Sequence, residues 1–180
     1  MSRLLFGVMT PGVNIRKNII EQSEEEYHTI MKTNVDAAYF LCRMYDGLYN
    51  KDGATIVNVS SAAGVQSSGT GAAYGMSKAA LNHLTRILAC EWASRKIRVN
   101  AVTPWMTMTP MLEEAVRKDP HQLDKVKAWT PLHRLASAEE VAAPIVFFCL
   151  PASSYITGQC LGVDGGLTAQ GFDGPCVTPS

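Results

Sequence analysis

The sequence predicts an α/β protein: a parallel sheet of about four strands with helices on both faces. Three observations carry that expectation. Strand-like and helical stretches alternate along the whole chain, the order of a parallel sheet joined by helical crossovers. The central strand candidates, Ala54–Val59 and Ile97–Val102, are short, β-branched and mostly apolar, as strands covered on both faces are. Two capping boxes, Ser23 with Glu26 and Ser137 with Glu140, each open a helical stretch.

Leu4–Val8 is an apolar strand that breaks at Met9-Thr10-Pro11-Gly12. The first capping box, with acids in its first turn, starts a helix expected to run to about Tyr49. Asn50–Gly53 is turn chemistry before the strand Ala54–Val59, and a loop of small residues follows from Ser60 to about Ala73. From Tyr74 to about Ser94, Leu81, Leu84, Ile87, Leu88 and Trp92 recur at helical spacing. After the strand Ile97–Val102 comes a Pro/Met/Thr-rich segment, Thr103 to Leu135, with a short helix at Met111–Lys118. The second capping box opens a helix ending near Leu150, and Gln159–Val163 is the last strand, closed by Asp164-Gly165-Gly166. No linker divides residues 1–180, so a single domain is expected. Ligands of such sheets sit beyond the carboxyl ends of the strands, which singles out the loops after Val8, Val59 and Val102.

Composition narrows the function. The 180 residues carry 47% hydrophobic and 18% charged side chains, a globular balance. Sixteen Lys and Arg offset sixteen Asp and Glu, so no basic excess draws the chain to nucleic acid or an anionic membrane. No apolar run approaches a membrane span, and no signal-peptide core is present. Cys42, Cys90, Cys149, Cys160 and Cys176 form no Cys-x-x-Cys pair. They read as buried small hydrophobes of a reducing compartment, which points to the cytoplasm. His28, His83, His121 and His133 lack ligand spacing, so no metal site is expected.

One constellation carries chemistry. Tyr74 and Lys78 stand four apart at the start of a helix and share a face. Ser61 lies thirteen residues before Tyr74, just after a strand. A tyrosine hydroxyl is a poor acid or base at neutral pH, and a neighbouring ammonium favours its phenolate. A serine hydroxyl beside them can hydrogen-bond an oxygen on which charge develops. Such a trio suits proton transfer at a carbonyl. Tyr-x-x-x-Lys alone is frequent by chance; its position in the α/β order gives it weight.

Three runs then become specific: Ile56-Val57-Asn58-Val59-Ser60-Ser61, Ala73-Tyr74-Gly75-Met76-Ser77-Lys78-Ala79-Ala80-Leu81, and Ile97-Arg98-Val99-Asn100-Ala101-Val102. In this order they resemble the short-chain dehydrogenase/reductase family. Glu91-Trp92-Ala93 and Ser154-Tyr155-Ile156-Thr157-Gly158-Gln159 before Val163-Asp164-Gly165-Gly166 are most similar to its tropinone-reductase-like branch. The resemblance spans Leu4 to about Phe172. It implies a Rossmann-like fold and NADP(H)-linked interconversion of a carbonyl and a secondary alcohol. By the same resemblance Tyr74 is the general acid/base and Lys78 lowers its pKa and holds the nicotinamide ribose. Ser61 orients the carbonyl, and Asn34 supports a water-linked proton relay to the lysine. Gly12, Tyr74, Lys78, Pro104, Thr107 and Thr109 fall on cofactor-contacting positions.

The chain also departs from the family pattern. Met1 stands just ahead of what aligns as the family's fourth strand, and no glycine-rich fingerprint precedes a helix. A truncated Rossmann-like sheet is therefore expected, without the first pyrophosphate-binding βαβ units. Met9-Thr10-Pro11-Gly12 keeps only the glycine of the family's Asn-Asn-Ala-Gly turn, and Trp105 replaces the glycine after Pro104. Two functions follow as expectations. One is a reductase of small apolar ketones, or the reverse alcohol oxidation, with Trp105, Met106, Met108, Met111 and Trp129 around an apolar pocket. The other is a non-catalytic, shortened member acting as an oligomer subunit or partner-binding module. The resemblance implies a homo-oligomer, or a hetero-oligomer with a full-length relative.

Overall fold

The computed structural model describes residues 5–45 and 53–171. The expected turn at Asn50–Asp52, the far end of the first long helix and Cys176 lie outside the described residues. Four strands, β1 (Leu5–Met9), β2 (Ala54–Val59), β3 (Ile97–Pro104) and β4 (Cys160–Val163), form one sheet in the order β1-β2-β3-β4. Every neighbouring pair is parallel, so all four carboxyl ends lie along one edge. The expected class, a four-stranded Rossmann-like parallel sheet with helices on both faces, is the observed one.

Side chains alternate between the two faces of β2 and β3, and each set finds its own helices. Ile56, Ile97 and Val99 pack with Met9, Cys42, Leu88 and Ala89 against α2 (Ala37–Tyr45) and α3 (Ala72–Glu91). Val57 and Val102 turn the other way, onto Phe148 and Cys149 of α6 (Ala138–Cys149). The near-continuous burial of both strands explains why their sequences read as apolar runs rather than as alternation. Arg98 ties β3 to the end of α6: its guanidinium donates to Ser153 Oγ, the Ile156 carbonyl and the Phe148 carbonyl. Asn100 continues the lacing, donating to the Ile156 carbonyl and accepting from the Gln159 N–H, which delivers the chain into β4.

Several expected elements differ in detail. The long helix after Ser23 is α1 (Glu24–Met31), then a widened π turn at Lys32–Asp36, then α2. The widened turn coincides with Asn34, whose amide is engaged with groups far away in sequence. β3 runs two residues past Val102, because Thr103 and Pro104 pair with Gly162 and Val163. The Pro/Met/Thr-rich segment holds two helices, α4 (Pro110–Lys118) and the unanticipated α5 (Asp124–Trp129). Of the cysteines expected to be buried, Cys42 and Cys149 are, Cys160 is half-buried and Cys90 is exposed. Cys90 follows the sheet-facing Leu88 and Ala89 and so turns toward solvent on α3.

β1 ends the sheet, with Phe6 58% and Val8 38% exposed on the α6 side. No described helix is long and apolar enough to cross a membrane. Lys96 closes the turn before β3 in the left-handed region, φ 58°. Glycine has no Cβ cost there, so Lys96→Gly is expected to stabilise the chain by about 1 kcal/mol, read from its melting curve.

Candidate active site

The site forms at the carboxyl edge of β1–β3, where α3 begins. α3 is a 20-residue helix, and its first turns present Tyr74 and Lys78 on one face. The Lys78 side chain is buried; its ammonium donates to the Val59 carbonyl at 3.2 Å and lies 5.8 Å from the centroid of the Tyr74 ring. Burial pushes its pKa down to about 8. Gly12 makes room for that ammonium: a Cβ there would stand 3.3 Å from Lys78 Nζ. The residue expected to touch cofactor thus first touches the lysine.

Ser61 follows β2 with extended backbone, and its hydroxyl accepts from the Ala63 N–H, starting a single turn at Ala62–Gly64. Sequence reasoning missed what fastens this turn to α3. Ser60 Oγ donates to the Lys78 carbonyl, and Asn82 Nδ2 donates to the Gly64 carbonyl. Gly64 and Gly75 let the two backbones meet: a Cβ on Gly64 would lie 2.6 Å from Lys78 C, and one on Gly75 3.2 Å from the Ala63 oxygen. Ser61 is thereby held against the turn of α3 that bears Tyr74 and Lys78. Small residues flanking an expected nucleophile or acid are the sequence signal for such an approach.

Asn34 is fully buried and works as a clamp. Its Oδ1 accepts from the Val13 N–H at 2.7 Å, and its Nδ2 donates to the Val13 carbonyl and to Ser77 Oγ. Ser77 Oγ in turn donates to the Tyr74 carbonyl at 2.7 Å. One side chain therefore joins the loop after β1 to the α3 turn containing Tyr74. It satisfies distant backbone, not the local helix. Ser77, buried between Asn34 and Tyr74, is a second residue the sequence reading passed over.

The positions after β3 behave differently. Pro104 pairs with Val163 at the sheet edge. Thr107 Oγ1 donates to the Trp105 carbonyl, and Thr109 Oγ1 accepts from the Leu112 N–H, capping α4. A Thr-Pro pair opening a helix is a readable cap signal. Trp105 turns to Thr130, donating its indole N–H to Thr130 Oγ1 at 3.1 Å. Trp105 and Met106 line a cavity with Pro131, Leu132 and Val163; Trp129, 57% exposed, does not join them. Trp129 ends α5 beside Thr130, the residue that turns inward in its place. The Met111 side chain lies outside the described residues. Among the described residues no group of three or more His, Cys, Asp or Glu is placed to hold a metal ion.

The Lys78 burial has a measurable consequence. Lys78→Met removes a charge from a dry site, so at pH 7 the variant is expected to be the more stable by about 1–2 kcal/mol. Folded Lys78 releases its proton near pH 8 and the unfolded chain near 10.5. Between those values the unfolded chain binds more protons, and wild type gains on the variant by at most about 1.4 kcal/mol per pH unit. Urea unfolding of both proteins from pH 7 to 10.5 checks the trend: the gap closes as pH rises and then reverses in favour of wild type.

Comparison with known proteins completes the picture. A family model described as Enoyl-(Acyl carrier protein) reductase matches residues 4–168. A tropinone reductase homolog of Arabidopsis thaliana is 47% identical over 162 residues, covering 89% of this chain and 61% of the relative. One from Datura stramonium is 42% identical over 164 residues, covering 89% of this chain and 61% of the relative. The chain thus spans about three-fifths of the length of such relatives. Among solved structures, ElxO with NADP bound superposes with a TM-score of 0.88 at 27% identity, covering 93% of this chain and 68% of that one. A short-chain dehydrogenase/reductase of Brucella melitensis gives 0.81 at 33% identity, covering 90% and 64%.

Proposed function

Because this chain belongs to the short-chain dehydrogenase/reductase family, on the branch of the tropinone reductase homologs, we propose that it is an oxidoreductase interconverting a carbonyl and a secondary alcohol with NADP(H). The observation that carries this reading is the buried Lys78 ammonium, seated between Gly12 and the Val59 carbonyl with the Tyr74 ring beside it. A buried cation with a tyrosine for neighbour is costly to keep for structure alone and useful for tuning an acid.

The residues present fit the nicotinamide–ribose end of a dinucleotide. Gly12 gives Lys78, the lysine that would hold the ribose hydroxyls, room at the carboxyl edge of the sheet, where Pro104 ends β3. A nicotinamide held there would supply or take the hydride. The chain does the rest. Ser61 Oγ donates a hydrogen bond to the carbonyl oxygen and fixes its direction. As charge builds on that oxygen, the Tyr74 hydroxyl gives up its proton to it. The Lys78 ammonium stabilises the phenolate left behind, and Asn34, through its clamp on Val13 and Ser77, holds the relay that restores the proton. Alcohol oxidation runs the same transfers backwards. The substrate class is a small ketone, on the similarity to the tropinone reductase homologs.

The test is NADPH oxidation by the purified chain with a panel of small cyclic ketones. Turnover that needs both ketone and NADPH supports the reading; its absence across the panel, with the chain folded, counts against it. A second reading, a non-catalytic subunit that binds another chain, draws on β1: among the described residues its outer edge is unpaired, and Phe6 and Val8 are exposed. Light scattering tests that assembly, and a monomer at all concentrations would contradict it.

A further inference from the structure

We propose that the cavity walled by Trp105 is a binding site for a neutral, ring-bearing small molecule, separate from the catalytic groups. The cavity measures about 430 Å3, and neither Ser61, Tyr74 nor Lys78 lines it. That volume suits a ligand of two or three fused or linked rings. Its place in the fold is the carboxyl edge of β3 and β4, where the backbone N–H of Trp105 donates to the Val163 carbonyl.

The site is built rather than incidental. Trp105 is pinned through its indole N–H to Thr130 Oγ1, and the same hydroxyl donates to the Val126 carbonyl. The indole plane is therefore fixed before any ligand arrives, a flat wall of the kind that stacks on rings at low entropic cost. Leu132 N–H donates to the Gly165 carbonyl across the cavity floor. Gly165 and Gly166 both have positive φ and approach so closely that a Cβ would lie 2.7 Å from Thr130 Cγ2 and 3.1 Å from Pro131 Cγ. Substitution there would press on the loop that bears the wall. Met106, Leu132 and Val163 supply the remaining apolar surface.

Neutrality follows from the partners of the charged groups at the rim. Arg134 donates two hydrogen bonds to the Glu140 carboxylate, at 2.8 and 2.7 Å, and a third to the Leu135 carbonyl. Asp164 accepts from the Gly166 N–H, the Thr168 N–H and the Thr168 hydroxyl. Arg134 and Glu140 neutralise one another, and Asp164 is held by three donors, so an uncharged ring system enters without disturbing any of these sets.

N-phenyl-1-naphthylamine, a neutral fluorophore of this shape, probes the site directly. Titration into the full chain is expected to give saturable binding, one molecule per chain. Trp105→Ala should weaken it at least tenfold, and Trp105→Phe, which keeps an aromatic wall, by no more than about threefold. Leu132 is largely exposed, so Leu132→Lys leaves the fold intact while placing a charge in the cavity; it too should weaken binding at least tenfold. Unsaturable binding, or binding unchanged in both Trp105→Ala and Leu132→Lys, would overturn the proposal and assign the fluorophore to the exposed apolar side chains of β1 and α2. None of these readouts depends on catalysis.

Discussion

Gly64→Ala is expected to destabilise the chain by about 3 kcal/mol or more, a large part of the 5–15 kcal/mol that holds a domain together. The added Cβ would stand 2.6 Å from Lys78 C and 2.8 Å from both Ala79 N and Lys78 O. Those are backbone atoms inside a helix, so no side chain can swing away to relieve the overlap. The turn at Ala62–Gly64 and α3 must part instead, which breaks the bonds from Ser60 Oγ to the Lys78 carbonyl and from Asn82 to the Gly64 carbonyl. Gly12→Ala makes the informative contrast. Its Cβ meets only the end of the Lys78 side chain, at 3.3 Å, so the fold should survive while the ammonium is displaced. Chemical denaturation of both variants separates the cases: a midpoint shift for Gly64→Ala much larger than that for Gly12→Ala.

Tyr74→Phe is expected to lower turnover by about 10²- to 10⁴-fold, the usual contribution of a positioned general acid, with the melting temperature nearly unchanged. None of the hydrogen bonds that seat this stretch of α3 uses the phenol. The Tyr74 carbonyl accepts from Ser77 Oγ, and the ring stands beside Lys78 Nζ, so phenylalanine preserves both. Affinity for NADPH should fall far less than turnover, because in the proposed mechanism the Lys78 ammonium is what holds the ribose. A variant that lost cofactor affinity and turnover together would place Tyr74 in binding rather than in proton transfer. Ordinary kinetics beside a binding titration tells the two apart.

Much of this was legible in the sequence, and the reasons are specific. β2 and β3 announced themselves because burial on both faces forces short apolar runs such as Ile56-Val57 and Ala101-Val102. The helix starts at Ser23 and Ser137 were readable because both capping boxes form as their residues promise. Tyr74 and Lys78 share a face because helical geometry leaves no alternative. The π turn at Asn34 was not legible, because the helices on either side of it are too short for a break in phase to stand out. It coincides with the long-range clamp of Asn34 on Val13 and Ser77, and no local pattern encodes that contact. The direction of Trp105 was equally hidden. A tryptophan after Pro104 reads as one wall of an apolar pocket, and no local pattern says that Thr130, 25 residues on, takes its N–H.

The measurement that bears most directly on the oxidoreductase reading is calorimetric titration of the 180-residue chain with NADPH. Wild type is expected to bind saturably at micromolar concentration, and Lys78→Met, stable but lacking the buried ammonium, to bind at least tenfold more weakly. Wild type that shows no heat of binding up to millimolar NADPH, or a Lys78→Met variant that binds as tightly as wild type, would contradict the assignment of this site to a nicotinamide cofactor.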